Sequence, residues 1–381
     1  MSVKRMHIIC FDIPFPPSYG GVIPVFYRIK ALRQLGVHII LHCFYKREIG
    51  DTAPLEAMCE KVYYYPRRTT FLQQLSFRPY GVKSREDKQL LEHLLQDDAP
   101  IFFEGLVSCG LMSHHLLRHR GKFFRECNVE HDYYHALARA TSCWWKKLHL
   151  HIEAERLRWF ERTIRHAQAI FTLAHQDERH FKATYPSVPS IYFPCFHGHT
   201  EILPPTDSSK PYILYNGNLA IAENHKAAMF ILQHIAPQVP HPFIIAGNKP
   251  SAELQREAAM HSNVTLIASP DEPMMQDLIR NARIHLLITF QGTGIKLKLL
   301  NVLFTQAHVV VNPLMVEGTE LHELCAIGSN DEQLIRLCTE LFDATPTKAQ
   351  LDERLKQLRQ TYNDAKSAQI IYQTMFPNTE N

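Results

Sequence analysis

The chain has 381 residues, and its 41 Lys and Arg face 38 Asp and Glu, a formal net charge of +3 before any of the 23 histidines protonates. That near-balance excludes nucleic acid as the default partner, because proteins that bind it carry a marked basic surplus. Hydrophobic residues at 45% and charged residues at 21% exclude disordered and collagen-like classes, and about 100 to 200 residues per domain predicts two domains.

In chain order, the first predicted strand is His7 to Phe11. Asp12 and a proline cluster stop this apolar run too early for a signal peptide, and no apolar run in the chain approaches the roughly 18 residues of a membrane-spanning helix. A loop of prolines and glycines leads to a helix, VFYRIKALRQLG, with Val25, Ile29 and Leu32 on one face and Gly36 where a helix-ending glycine belongs. The strand VHIILHCF follows, and similar βα units continue with strands near IFFEG, KFFRE and AIFTLA up to about residue 190. Periodicity then lapses in a proline-rich stretch and restarts with PYILYNGN, HPFIIAGN, NVTLIAS, ARIHLLIT and HVVVNP.

The pattern predicts an α/β protein of two successive domains. The expected boundaries are residues 1–195 for an N-terminal domain, 196–210 for a linker and 211–360 for a C-terminal domain. A last helical segment, 361–381, is expected to pack back on the first domain. Carboxyl-terminal strand edges facing across a cleft would then form the ligand site. The nine cysteines are odd in number and form no C-x-x-C pair, so a disulfide framework is not expected and a reducing cytosol is.

The most informative segment is QGTGIKLKLLNVLFTQAHVVVN, Gln291 to Asn312. Gly292 and Gly294 mark a turn into a helix, and Lys296 and Lys298 fall in or near its first turn with no acidic neighbour before Glu317. Cations are disfavoured at that end of the helix dipole, where backbone N–H groups attract anions, so a bound phosphate would resolve the conflict. Lysines extending into solvent are the competing reading. Gly20 and Gly21 form a second glycine turn, and further turns follow strands at Gly217 with Asn218 and at Gly247 with Lys249. Lacking a Cβ, such glycines let a ligand approach the backbone closely.

FFRECNVEHDYYHALA carries Glu130, His131, Asp132 and His135. His131 and His135 have metal-compatible spacing but no partner motif, so no metal site is expected and acid/base work by Glu130, His131 or Asp132 is. The Cys195-x-His197-x-His199 cluster reads as coincidence in a histidine-rich chain. The stretch CWWKKLHLHIEAERLRWFERTIRHA holds all three tryptophans among basic residues; an ordinary long helix is the favoured reading and a membrane-surface helix the second.

Taken together, these landmarks resemble the bacterial glycosyltransferases of the GT-B fold, specifically the retaining family with a glycogen synthase-like C-terminal domain. FDIPFPPSYGGVIPVFYRIKALRQLG looks like the opening of that family, FRECNVEHDYY like its arginine, histidine, asparagine, glutamate segment, and ILYNGNLAIAEN like the strand that opens the donor domain. GTGIKLKLLNVLFTQAHVVVN is similar to the donor-site segment. The resemblance implies a GT-B fold of two Rossmann-like domains, a nucleotide-diphosphate sugar donor held by the second, and Gly20 and Gly21 approaching it from the first.

By the same resemblance Thr293 and Asn301 stand where the family has paired glutamates, Cys127 where it has a histidine, and Gln306 with Ala307 where its usual glycine and following residue lie. The expectation is a glycosyltransferase that moves a hexose to a glycan or lipid-linked acceptor in cell-envelope polysaccharide or lipopolysaccharide assembly. It needs no cofactor or metal, and it works in the cytoplasm or peripherally on the inner face of the membrane. The opposing reading is a non-catalytic GT-B scaffold acting as an interaction subunit.

Overall fold

The alternation of apolar runs and amphipathic stretches resolves into two all-parallel sheets. The computed structural model describes residues 3–46, 48–74, 76–126, 128–141, 143–291 and 297–377. In the first sheet, β1 (Arg5–Cys10), β2 (His38–Tyr45), β3 (Lys61–Pro66), β4 (Ile101–Glu104), β5 (Lys122–Arg125), β6 (Ala169–Thr172) and β7 (Ser190–Tyr192) lie in the order β3-β2-β1-β4-β5-β6-β7. In the second, β8 (Ile213–Asn216), β9 (Phe243–Gly247), β10 (Val264–Ala268), β11 (Ile284–Leu287), β12 (His308–Val311) and β13 (Ala326–Ile327) lie in the order β10-β9-β8-β11-β12-β13. Both sheets are doubly wound in the Rossmann manner, with the strand order reversing beside the first strand of each.

Helices cover both faces of such sheets, so central strands are buried along their length rather than at alternate residues. Met6, Ile8 and Ile9 of β1 are fully buried, as are Ile213, Leu214 and Tyr215 of β8. β1 pairs with β2 in the register Ile8↔Leu41 and with β4 in the register Ile8↔Phe102. The first crossover helix, Ile23–Gln34, ends at Gly36, whose φ of 79° is left-handed backbone that glycine adopts without strain.

The chain divides into two compact units, Met1–Phe196 with Asn363–Asn381, and His197–Tyr362. The proline-rich stretch expected as a linker clusters with the second unit from His197 onward. There the Leu203 amide donates to the Phe304 carbonyl at 2.8 Å and the Thr206 amide to Asn281 Oδ1 at 2.7 Å. The helix Lys348–Thr361 also belongs to the second unit, where buried Arg354 donates to the carbonyls of Thr305 and Ala307 at 3.1 and 3.0 Å. The following helix, Asp364–Met375, packs its buried Ala368 and Ile371 in the first unit, against the helix Ile23–Gln34.

One buried charge ties the first unit together. Glu104, at the end of β4, is fully buried and accepts from Arg28 of the first helix and from Arg125 of β5, the latter at 3.2 Å. The Arg28 guanidinium also lies 5.1 Å from the Phe102 ring centroid and 5.7 Å from that of Phe196. Removing one member of a buried ion cluster leaves the remaining charge uncompensated, at a cost of about 3–5 kcal/mol. Glu104→Ala is therefore expected to lower the urea midpoint of the first unit's unfolding transition by that much free energy at unchanged slope. A parent-like midpoint would show that water reaches the two arginines.

Candidate functional site

In doubly wound sheets, ligands bind beyond the carboxyl ends of the strands where the order reverses. In the second unit that place lies between the ends of β8 and β11. The Asn216–Gly217–Asn218 turn leaves β8, and the Gly217 amide donates to the Ala246 carbonyl of β9 at 3.1 Å. A Cβ on Gly247 would lie 1.7 Å from the Gly217 carbonyl oxygen, so close packing of these two turns requires glycine at 247. Lys249 follows with φ 51°, its amide donating to Ser269 Oγ at 3.1 Å and its side chain exposed.

Lys298 joins the same edge. Its Nζ donates to Asn224 Oδ1 at 3.3 Å and sits 5.0 Å from the Tyr215 ring centroid, while Asn224 Nδ2 donates to the Asn218 carbonyl at 3.1 Å. Gly217, Asn218, Gly247 and Lys298, far apart in sequence, thus share one edge of the sheet. Gly292, Thr293, Gly294 and Lys296 lie outside the described residues. Sequence reasoning missed Glu223, whose Oε1 accepts from the Thr289 hydroxyl at 2.6 Å and the Phe290 amide at 2.5 Å. That carboxylate straps the loop after β11 to the helix after β8, across the point where the strand order reverses. Its partners are 66 and 67 residues away, and no local pattern announces them.

In the first unit, Asp12 follows β1 and accepts from the Tyr19 hydroxyl at 2.7 Å. Gly20 and Gly21 follow Tyr19, and a Cβ on Gly21 would meet the Tyr19 ring at 2.7 Å. Arg85 donates to the Phe11 and Gly81 carbonyls at 2.9 and 2.8 Å; burial, reinforced by nearby Arg67, pushes its guanidinium down to about 10, with Asp12, Tyr134 and Tyr19 opposing. Glu130, at the start of the helix Glu130–Ala140, also lies in the field of Arg85. Burial pushes Glu130 up to about 7, against that arginine. The sequence singled out the glycines and Glu130 but not Asp12, Arg67 or Arg85.

His131 faces elsewhere. Its Nδ1 is 3.1 Å from Glu161 Oε2, while His180 Nε2 is 3.4 Å from Glu161 Oε1, to which the Tyr185 hydroxyl donates at 3.1 Å. The His131/His135 spacing does not converge on one point, because His135 turns to His151 at 3.2 Å and Glu155 at 3.3 Å. His197 and His199 are also engaged: His197 Nε2 meets the Tyr362 carbonyl at 3.1 Å, His199 Nε2 meets Asn301 at 3.2 Å, and both rings stack on Phe304.

Burial alone would raise Glu161, but hydrogen bonds from His131 and His180 override it and hold the carboxyl at about 2. The hydrogen bond to Glu161 raises His180 against its own burial. Stability from the depressed acid is present above its unfolded pKa near 4.5 and lost as pH falls toward 2. Stability from the raised imidazole is present below about 6.5 and lost as pH rises through the folded value. This cluster therefore contributes most between about pH 4.5 and 6.5. The melting temperature of the parent minus that of Glu161→Gln should be largest in that window and shrink toward pH 8 and toward pH 3. A pH-independent difference would contradict the pairing.

No family model matches the chain. A Klebsiella pneumoniae protein described as an uncharacterized 44.6 kDa protein in cps region is 26% identical over 354 residues, 87% of this chain and 89% of that protein. Among solved structures, sucrose-phosphate synthase from Thermosynechococcus elongatus superposes with a TM-score of 0.67 at 13% identity, over 98% of this chain and 99% of that one. Anabaena HepE in complex with UDP and glucose superposes with 0.64 at 11% identity, over 98% and 99%. WaaG, a glycosyltransferase involved in lipopolysaccharide biosynthesis, superposes with 0.62 at 11% identity, over 98% and 100%. With two parallel Rossmann-like sheets of seven and six strands, the chain has the GT-B glycosyltransferase fold.

Proposed function

We propose that this protein is a glycosyltransferase that moves a hexose from a nucleotide-diphosphate sugar to a glycan or lipid-linked acceptor in the assembly of a cell-envelope polysaccharide. The observation that carries this reading is the cluster at the carboxyl edge of the second sheet. There Lys298 reaches the glycine turn after β8 through Asn224, at the strand-order reversal where such sheets take nucleotides. The HepE complex, which holds UDP and glucose, supports the donor class. The Klebsiella relative in a cps region supports a capsule-type product. A cytoplasmic site of action follows from this donor and acceptor chemistry.

Departure of a nucleoside diphosphate develops negative charge on the leaving group, and fixed cations and backbone N–H groups stabilise it without reorganising. Lys298 supplies one such cation on this reading, Lys249 stands after β9 on the same edge, and Asn218 and the turns at Gly217 and Gly247 supply close backbone approach; Gly292, Thr293, Gly294 and Lys296 are donor contacts proposed from the sequence alone. In the first unit, Gly20 and Gly21 are the proposed donor contacts, and Glu130 is the acid/base group. A carboxyl poised near 7 exchanges its proton at neutral pH. His131, held by Glu161, positions the first turn of the Glu130 helix.

Thr293 and Asn301, where the resembled family has glutamates, favour the second reading, a scaffold that binds without turnover. Release of free nucleotide from a panel of nucleotide sugars separates the two.

A charge-assisted hydrogen bond contributes about 1.5–3 kcal/mol, so Lys298→Ala should weaken nucleoside-diphosphate binding by about tenfold to a hundredfold in calorimetry. Binding of the uncharged nucleoside should hardly change, and equal affinity for the diphosphate would remove the donor assignment. Glu130→Gln should lower kcat by about 10²–10⁴ with the melting temperature unchanged or raised, because a buried ionisable group is removed. The parent's activity should also show an ionisation near pH 7 that the variant lacks.

A further inference from the structure

The helix Trp144–Phe160 is apolar on two opposite faces. Glu153, Ala154, Leu157 and Phe160 face inward and are buried. On the other side Trp145, Leu148, Ile152 and Trp159, spaced by three, four and seven residues, point outward and are 64%, 48%, 44% and 61% exposed, with Trp144 60% exposed beside them. Phe77, just before the helix Tyr80–Lys83, is 93% exposed and lines the same surface with Ile152 and Trp159. A surface helix normally turns charge to solvent, and a contiguous apolar patch of this kind marks a contact surface.

Two hollows meet at Trp159. One, of about 720 Å³, is an apolar groove walled by Phe77, Ile152 and Trp159 with the stems of Glu155 and Arg156. The other, of about 270 Å³, is lined by Arg78, Arg162, Arg165 and His166 together with Trp159. Lys146, Lys147 and Arg158 are exposed around the patch, and among the described residues no carboxylate lies within ion-pair distance of these three or of Arg162 and Arg165. Glu155 is the exposed acid on this helix.

We propose that this face is a docking surface for an anionic phospholipid bilayer, with acyl chains against the aromatic groove and headgroup phosphates at the arginine pocket. Tryptophan suits the water–hydrocarbon boundary because one edge of its ring is polar and the rest apolar. Arginine forks hold phosphate in two-point contact. A second copy of this chain fits the surface less well, since a two-fold contact would set each basic rim against its twin.

All three tryptophans of the chain lie on this face, so selectively excited tryptophan emission of the full-length parent reports on it alone. On adding vesicles of phosphatidylglycerol and phosphatidylethanolamine, the emission should shift to the blue and the protein should sediment with the lipid. Added salt should release it, and pure phosphatidylcholine vesicles should bind it at least tenfold more weakly. Arg162→Gln and Arg165→Gln should each weaken binding by about fivefold, and Trp145→Ser with Trp159→Ser should abolish it. These exposed substitutions should leave the melting temperature and nucleotide-sugar hydrolysis in the absence of vesicles at parent values, which keeps failure here distinct from failure of the donor assignment. Unmoved emission with no sedimentation would overturn the proposal, as would equal binding to neutral vesicles. A dimer by light scattering that the tryptophan substitutions dissociate would overturn it too and assign the face to a second copy.

Discussion

Parallel strand pairing is the constraint on which the rest of this molecule depends. A parallel strand can be followed by its neighbour only after a crossover of a dozen or more residues, so each strand sends the chain out at its carboxyl end and receives it back at the other. Every turn that leaves a strand therefore gathers on one edge of its sheet. The residues between β1 and the first helix, Asp12 to Gly21, and those between β8 and the next helix, Asn216 to Glu223, are there for that reason. Reversal of strand order beside β1 and β8 then sends consecutive crossovers to opposite faces, which leaves these edges open enough for polar side chains to converge.

Those polar groups obey different electrostatic accounts although two of them occupy the same unit. Glu161 sits where burial alone would neutralise it, yet His131, His180 and Tyr185 give its oxygens partners and keep it ionised. Glu130, one residue from His131, receives no such set of donors among the described residues, and burial prevails even with Arg85 nearby. A carboxylate saturated with hydrogen bonds is a structural fastening; one poised near neutrality can exchange a proton. Glu130 and His131 are adjacent in sequence and were alternatives for acid/base work, yet the carboxyl lies near Arg85 and the imidazole meets Glu161.

Legibility followed the range of the interaction. The βα alternation is a local signal of period and turn chemistry, so the strands and crossover helices could be read directly: the run predicted from His7 is β1, and Gly36 ends the first helix with a positive φ. Lys298 was visible because a cation near a helix start conflicts with its own surroundings. Glu223, Arg85 and the Glu161 cluster were not, since their partners lie tens of residues away and their meaning arises only when the sheet edge brings them together. The segment from His197 shows the same limit. Its composition is that of a tether, and only the hydrogen bonds of Leu203 and Thr206 to later parts of the chain attach it to the second unit.

The tryptophan helix illustrates a further limit, because sequence periodicity reports how apolar residues are spaced and not which of two apolar stripes is covered. Trp145, Leu148, Ile152 and Trp159 have the spacing of a buried stripe, and an ordinary amphipathic helix would have turned them inward. The inward positions are taken by Ala154, Leu157 and Phe160, with Glu153 accepting from the Tyr80 amide at 2.8 Å and from Arg156 at 2.6 Å. Glu153 would be costly to bury without those two donors. With them it anchors the helix in the orientation that leaves the tryptophans outside, so one satisfied carboxylate on the inner face fixes what the outer face presents to solvent.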